Sequence, residues 1–591
     1  MATTETTPSS EANSASAGGF YTHTSEPALG RNPNWIVLLL LGLLVIIGLG
    51  FRVSRLSAIG FAEDEVNKVD AVEAYSRGDI KVNAEHPMLM KALMYISATR
   101  AGQGGGLDKF SDEFAFRLPN AIFGALTVIP LFLLTAAFFD RWTGLLAAGF
   151  WAVGVNAISF NRIGKEDTLL VFFMLFAFYF YLRAKQTSTR NLKTRGRNYL
   201  LSGISFGLML ASKYFPHYLG LNSLYHHYFR VRKKDLGEPL VKTSKVFYIA
   251  LIVAFLIANP PVLLPQVWSY LNVYMGEKLL VHSGYLFADH LYINQVSSTP
   301  FGTPVYFYLV FMAIKIPLLV LFALASGLIV SIKRRGHPGH AFALFMFLLW
   351  IIPYSLIGAK WLRYTLSLMP FVYILAALGL AELIRFINGR LKLAVQGRAL
   401  VAAVLVIIFL GWPAWTAYSA GPHYALYNNA LNRNHIGYFF PHDEFYDDRL
   451  REAILFVCRN APQSATIAHE TPAVTRYYLR QFGRTDLNSH AISAPEFNMA
   501  NLSGPVYIII QRGRTYFENR EKIVFVRSHF KKMHEEKING LIAVEVFCKR
   551  SPLIGTGSEV RSTNSHEITL KAFRVGSCIS QIAFFRPWER T

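Results

Sequence analysis

The sequence predicts a polytopic α-helical membrane protein of about 11 transmembrane helices with a C-terminal extracytoplasmic α/β domain. Two observations carry that reading. The 591 residues are 52% hydrophobic and only 16% charged, with the apolar residues gathered into long runs rather than at amphipathic spacing. The remainder after about residue 418 changes to short β-rich runs alternating with helical patterns. A net charge of +22 raises the question of nucleic acid, but no basic patch carries base-reading or stacking motifs. Much of the positive charge falls in short loops between apolar runs, so topology accounts for it and no nucleic-acid partner is expected.

In chain order, residues 1–34 read as a disordered cytoplasmic tail rich in Ser, Thr, Ala, Gly and Glu, without the basic start of a signal peptide. Apolar runs at 35–51, 117–139, 143–160, 168–184, 199–215, 216–229, 246–264, 304–330, 341–359, 364–384 and 399–417 are the expected spans. The stretch 199–229 reads as two short helices or a re-entrant pair broken near Pro216. Residues 35–417 thus form the transmembrane domain. With a cytoplasmic N-terminus, the loops 183–197, 230–245, 332–340 and 385–398 are inside and hold nineteen Lys/Arg against Asp235 and Glu238. The first loop, 52–116, has eight basic and ten acidic residues and falls outside. An odd number of crossings then places 418–551, the α/β domain, outside as well.

Within that domain ATIAHE (465–470), PVYIIIQ (505–511), KIVFVR (522–527) and LIAVEVFC (541–548) read as strands. DDRLREAILFVCRN (447–460) and AVTRYYLRQF (473–482) read as helices. Residues 552–591 show no pattern. The cysteines Cys458, Cys548 and Cys578 have no metal-ligand spacing, and a single bridge such as Cys548–Cys578 stays open. No 20–50-residue repeat is visible.

The residues with chemistry cluster in the outer segments. The loop 52–116 is far longer than a hairpin needs. It opens with Glu63, Asp64 and Glu65 at the start of an amphipathic helical pattern. Those acids read either as charge complementing a helix dipole or as carboxylates placed for reaction. EHPMLMKALMY (85–95) follows, with His86, Pro87 and then Lys91 on an apolar helix. Its ammonium either snorkels to water or meets a lipid-linked phosphate. Arg117 opens the next apolar run, and NRIGKEDTLL (161–170) sets Asp167 where it caps a helix and faces an outer cavity. The loop 265–303 mixes aromatic and polar residues, His282 among them, in a composition suited to sugar or headgroup contact. Lys360 and Arg363 in GAKWLRYTLSLMP (358–370) are cations on the outer side, where the positive-inside rule does not favour them, and they call for an anionic partner.

In this order the motifs resemble the GT-C glycosyltransferases that use polyprenyl-phosphate sugars, the glycosyltransferase family 39 type seen in protein O-mannosyltransferases and the aminoarabinose transferase of lipid A. The resemblance covers roughly residues 35 to 450. It rests on Asp64-Glu65, on His86-Pro87 with Lys91, on Arg117-Leu118-Pro119 and on Asp167. It continues through TPVYFYLVFMAIKIP (303–317), KWLRYTLSLMP (360–370) and GPHYALYNNALNRN leading into GYFFPHDEFYDDRLREAI. Met88 stands where the family usually has a second proline.

The resemblance implies Asp64 as catalytic carboxylate with Glu65 beside it, Lys91 and Arg363 on the lipid phosphate, and Arg117 and Asp167 shaping the cavity. His86, Lys360 and His282 complete the expected substrate contacts. The donor it implies is a polyprenyl-phosphate-linked sugar. The acceptor is an extracytoplasmic protein hydroxyl, a lipid or an envelope glycan, and the location is the inner (plasma) membrane. Because such a donor carries its own leaving group, no cofactor is expected, and the outer loops show no Asp-x-Asp or spaced His/Asp set for a metal. Two rival readings are a transporter or flippase for a lipid-linked or anionic solute, and an inactive scaffold. The first calls for charges at mid-membrane depth, whereas here they gather at the outer ends of helices.

Overall fold

The computed structural model describes residues 35–103, 112–188, 190–235, 242–275, 284–294, 302–391, 394–497 and 504–549. The expected tails 1–34 and 552–591, with Cys578, and the expected contact His282 lie outside the described residues.

The chain begins with α1 (Trp35–Val53), nineteen residues of nearly unbroken Leu, Ile, Val and Gly. The segment that follows holds α2 (Glu63–Ser76) and α3 (Leu89–Gln103). α4 (Asp112–Leu126) and α5 (Val128–Phe138) run on as one apolar span. Asp140 caps α6 (Arg141–Val153), accepting from the amides of Trp142 and Thr143. α7 (Val155–Asn161) is bent from α6 by 58° at Gly154, where a Cβ would lie 2.1 Å from the Tyr373 hydroxyl. α8 (Asp167–Gln186) and α9 (Leu192–Ser212) follow, and the chain breaks at Pro216 before α10 (His217–Asp235). α11 (Lys245–Ala258), α12 (Pro265–Met275) and a hairpin of β1 (Tyr285–Phe287) with β2 (His290–Tyr292) lead to the second half of the bundle. That half contains α13 (Phe307–Lys315), α14 (Leu318–Lys333), α15 (Pro338–Leu356), α16 (Met369–Leu391) and α17 (Val395–Ala420).

Among the described residues six helices are long and apolar enough to cross a membrane, or up to seven if the bent pair α6–α7 is one span. That is fewer than the eleven apolar runs of the sequence. α11 and α14 are apolar but short, and α9 and α10 carry several basic residues each. The α4–α5 span and α8 are each 72% buried, whereas α1 and α17, at 22% and 11%, form the bundle's outer flank. Close helix approach depends on small residues here. α14 and α16 cross at Gly327 and Gly379, where a Cβ would fall 1.8 Å from the Leu375 carbonyl and 2.0 Å from that of Ala323.

After α17 the chain forms α18 (Pro441–Phe445) and α19 (Leu450–Asn460), then a five-stranded sheet of order β4-β3-β5-β7-β6. The sheet comprises β3 (Thr466–Ala468), β4 (Asn488–His490), β5 (Val506–Gln511), β6 (Lys531–Ile538) and β7 (Leu541–Lys549). α20 (Pro472–Gln481) joins β3 to β4 and α21 (Arg520–His529) precedes β6. β3 pairs parallel to β4 and β5, and β7 pairs antiparallel to β5 and β6. The β6–β7 turn is Asn539-Gly540, both at positive φ, as a two-residue hairpin demands. β5 is buried along its whole length, which explains its uninterrupted VYIII. KIVFVR, expected as a strand, is the core of α21. Only Ile523 and Val526 of that run face inward, three residues apart, and the adjoining exposed Val524 and Phe525 disguise a helical period as a β run.

The glycine crossing gives the first testable expectation. Gly379→Ala forces α14 and α16 apart and costs about 1–3 kcal/mol, lowering the melting temperature of the detergent-solubilised protein. Gly42→Ala, whose new Cβ meets nothing within 4 Å, leaves it unchanged.

Candidate functional site

The first turn of α2 carries three carboxylates, and each turns to a different part of the molecule. Glu65 reaches back to the helix start, its Oε2 accepting the Ala62 amide at 3.0 Å. Both of its oxygens also accept from Arg117, Nε at 2.7 Å and Nη2 at 2.6 Å, and the Gly164 amide donates to it at 2.8 Å. The remaining Arg117 N–H groups donate to the carbonyls of Leu56, Ile59 and Gly60. This buried bidentate pair therefore stitches the α1–α2 connection to α4 and to the loop before α8. Glu63 accepts from Arg514 at 2.9 Å, and Arg514 in turn holds Asp447, whose Oδ2 accepts the Glu63 amide at 2.9 Å. The loop after β5 is thereby tied to the same turn.

Asp64, the middle acid, faces Lys165 at 2.9 Å, Arg363, and the hydroxyl of Tyr446 at 2.6 Å. Its side chain keeps a quarter of its surface exposed, where the carboxylate of Glu65 keeps 2%. Burial works against its charge, but Arg363, Lys165 and Lys68 outweigh it and hold the carboxyl well below the usual range. Its three partners line a cavity together with Asp167, Asp443, Ile163 and Ala425. Burial brings the Lys165 ammonium down to about 8 despite Asp64, and pushes Asp443 up to about 6. Asp443 accepts from the Tyr285 hydroxyl and, at 3.2 Å, from the Leu362 amide.

The other expected residues fall around this centre in distinct ways. Asp167 heads α8, lines the cavity and pairs with Lys213 at 2.6 Å. His86 lies 3.7 Å from Glu166, which Lys68 also meets at 3.0 Å in a fully buried pair. Burial keeps the His86 imidazole well below its usual pKa, hence neutral at physiological pH. Lys91 donates to the carbonyls of Asn83 at 2.5 Å and His86 at 2.9 Å, closing the 83–86 turn on itself. Burial lowers its pKa to about 7. Lys360 donates to the carbonyls of Thr303 and Ile357, both at 2.7 Å. Arg117 and Glu65 line a second recess behind the first, beside Arg162, His423 and Glu444. The structure thus brings Arg363 and Asp167 to one cavity, with Asp64 bonded to its lining, and engages Lys91 and Lys360 with backbone oxygens.

Tyr446, Lys165, Lys213 and Asp443 complete the centre and were not among the expected site residues. Tyr446 stands in an irregular turn, with positive φ at Tyr446, Asp447 and Arg449. The signal available for it was the run PHDEFYDD itself, an unusual density of acids and aromatics after the last apolar run.

Residues 107–264 match the profile of the family described as dolichyl-phosphate-mannose-protein mannosyltransferase. The structure superposes on ArnT from Cupriavidus metallidurans in the apo state with a TM-score of 0.50 and 13% identity, covering 87% of this chain and 97% of that one. The fold is that of the GT-C glycosyltransferases. The apo oligosaccharyltransferase of Archaeoglobus fulgidus gives a TM-score of 0.49 at 12% identity, covering 81% of this chain and 70% of that one. The protein O-mannosyltransferase Pmt1-Pmt2 complex of S. cerevisiae gives 0.30 at 23% identity, over 41% of this chain and 34% of that one. No curated protein sequence matches the chain. In this fold the cavity lies where connecting segments of the two halves of the bundle meet, with Asp64 and Lys165 from the first and Arg363 and Tyr446 from the second.

Removing one partner of a buried ion pair leaves the other charge uncompensated, at a cost of roughly 3–5 kcal/mol. Glu65→Ala and Arg117→Ala each lower the thermal stability of the purified protein accordingly, and the double variant loses less than the sum of the two.

Proposed function

We propose that the chain is an integral-membrane, inverting glycosyltransferase that moves a single sugar from a polyprenyl-phosphate donor to an extracytoplasmic acceptor, with Asp64 as general base. The observation that carries this reading is the difference among neighbouring acids. Glu63, Glu65 and Glu166 pair with Arg514, Arg117 and Lys68, none of which lines the cavity, whereas all three side-chain partners of Asp64, namely Lys165, Arg363 and Tyr446, line it. The family profile matched by residues 107–264 supports a polyprenyl-phosphate donor, since its description names dolichyl-phosphate-mannose.

In the proposed reaction the anomeric C–O bond to the donor phosphate breaks as the acceptor oxygen attacks from the opposite side, and the acceptor proton passes to Asp64. The phosphate leaves toward Arg363 and Lys165, cations fixed before the charge develops. The donor brings its own leaving group, so the reading calls for no cofactor. Eleven crossings from a cytoplasmic N-terminus, counting the short and broken helices as spans, would set the cavity and the five-stranded domain on the outer face of the inner membrane. The acceptor is a protein hydroxyl, a lipid or an envelope glycan. Comparison of glycolipids and glycopeptides by mass spectrometry, from cells with and without the chain, identifies the sugar and the acceptor together.

Asp64→Asn keeps the shape and removes the base. Transfer from a polyprenyl-phosphate sugar in membranes falls about 10²- to 10⁴-fold while insertion and elution profile stay unchanged, and full transfer by a well-folded variant would refute the assignment.

Lys165 sets a pH dependence. Its ammonium is charged below about 8 and loses its proton as pH rises through that value. The donor kcat/KM therefore falls above about pH 8, and Lys165→Arg, whose charge persists, moves that fall to higher pH.

A further inference from the structure

A large concavity lies toward the end of the bundle away from Asp64. It is a groove of about 1180 Å³ lined by Leu40, Leu43 and Leu44 of α1, Leu145 and Leu146 of α6, Leu378 of α16, and Ala402, Ala403 and Val406 of α17. α6 and α16 supply its buried floor, and α1 and α17, the two most exposed spans, supply its walls. From Leu40 to Arg52 at the outer end of α1 is roughly 18 Å of helix, so the groove is separate from the reaction cavity. Its apolar length could suit any hydrocarbon chain. The head of the groove is more selective.

Lys333, Arg334, His337 and Arg385 gather there. Arg334 and Arg385 share a single carboxylate, Glu382, at 2.8 and 3.0 Å. Among the described residues Lys333 has no acidic partner. The other acid at the head, Asp140, is engaged by the Trp142 and Thr143 amides and the Thr143 hydroxyl. Trp142, half exposed at the same level, supplies the amphipathic ring typical of a membrane interface. The head therefore carries a surplus of positive charge above an apolar trough.

We propose that this groove binds an acidic phospholipid, its phosphate between Lys333 and the Arg334–Arg385 pair and its acyl chains along α1 and α17. Positive charge is common on this face, so the claim is one of place: these cations act because they stand at the head of the groove, and Lys193 at the start of α9, exposed and outside the groove, does not contribute. Each basic residue near a lipid phosphate contributes on the order of 1 kcal/mol, so reversing two of them weakens binding about tenfold or more.

Native mass spectrometry of the full chain tests this. The protein in detergent is given equal amounts of dioleoyl phosphatidylglycerol and dioleoyl phosphatidylcholine. The expected result is preferential retention of phosphatidylglycerol, reduced about tenfold or more in Lys333→Glu/Arg385→Glu and unchanged in Lys193→Glu. Ala403→Phe, which fills the groove from an exposed position without touching the head charges, also reduces it. Equal retention of the two phospholipids, an equal loss in Lys193→Glu, or no loss in Ala403→Phe would each overturn the proposal.

Discussion

Charge removed from water must be matched on the spot, and the half of this molecule that holds α2 and the sheet is arranged around that requirement. One turn of α2 presents Glu63, Asp64 and Glu65, and the three are satisfied by Arg514, by Lys165 with Arg363, and by Arg117. Those cations come from the loop after β5, the connection before α8, the segment before α16, and α4. A helix start of three residues thereby fixes the sheet on the bundle and one half of the bundle on the other. Tyr478 of α20 adds to this, donating its hydroxyl to Glu113 at 2.9 Å and accepting the Phe61 amide at 2.6 Å. Remote charges tie the segment after α17 in the same way. Lys315 at the end of α13 meets Glu444 and donates to the carbonyls of Ala425 and Tyr427, which pins the strap that carries Tyr446 and Asp443 into the cavity.

Much of the bundle was legible because the bilayer imposes a simple rule on composition: long apolar runs become helices, and each expected span coincides with one or two of them. The break near Pro216 follows from the steric restriction on the residue before proline. What composition does not show is how far a short or basic helix such as α11 or α10 reaches across the membrane, since that depends on neighbours. The candidate site was legible where residue type sufficed, as for Asp64 and Arg363, an acid and a cation beside apolar runs that the fold brings into contact. It was not legible where the partner is the backbone. Lys91 neither snorkels to water nor stands free for a phosphate: it and Lys360 are buried and bond to the carbonyls of Asn83, His86, Thr303 and Ile357. Glu65 and Arg117 meet across 52 residues, a distance that no local pattern encodes.

The arrangement around Asp64 also bears on how a base can be strong enough to use. A carboxylate clasped by two cations is ionised, but its low pKa makes it a poor proton acceptor. On the proposed reading the donor phosphate resolves this, because it competes for the same Arg363 and Lys165. As those cations turn to the phosphate, the pull on Asp64 weakens and its basicity rises toward that of an ordinary carboxylate. Tyr446, still donating to Asp64, keeps it oriented. Without donor the base stays neutralised and would not activate stray water; with donor it is released beside the anomeric carbon. The cations would then act twice, holding the carboxylate in check before binding and accepting the phosphate during transfer.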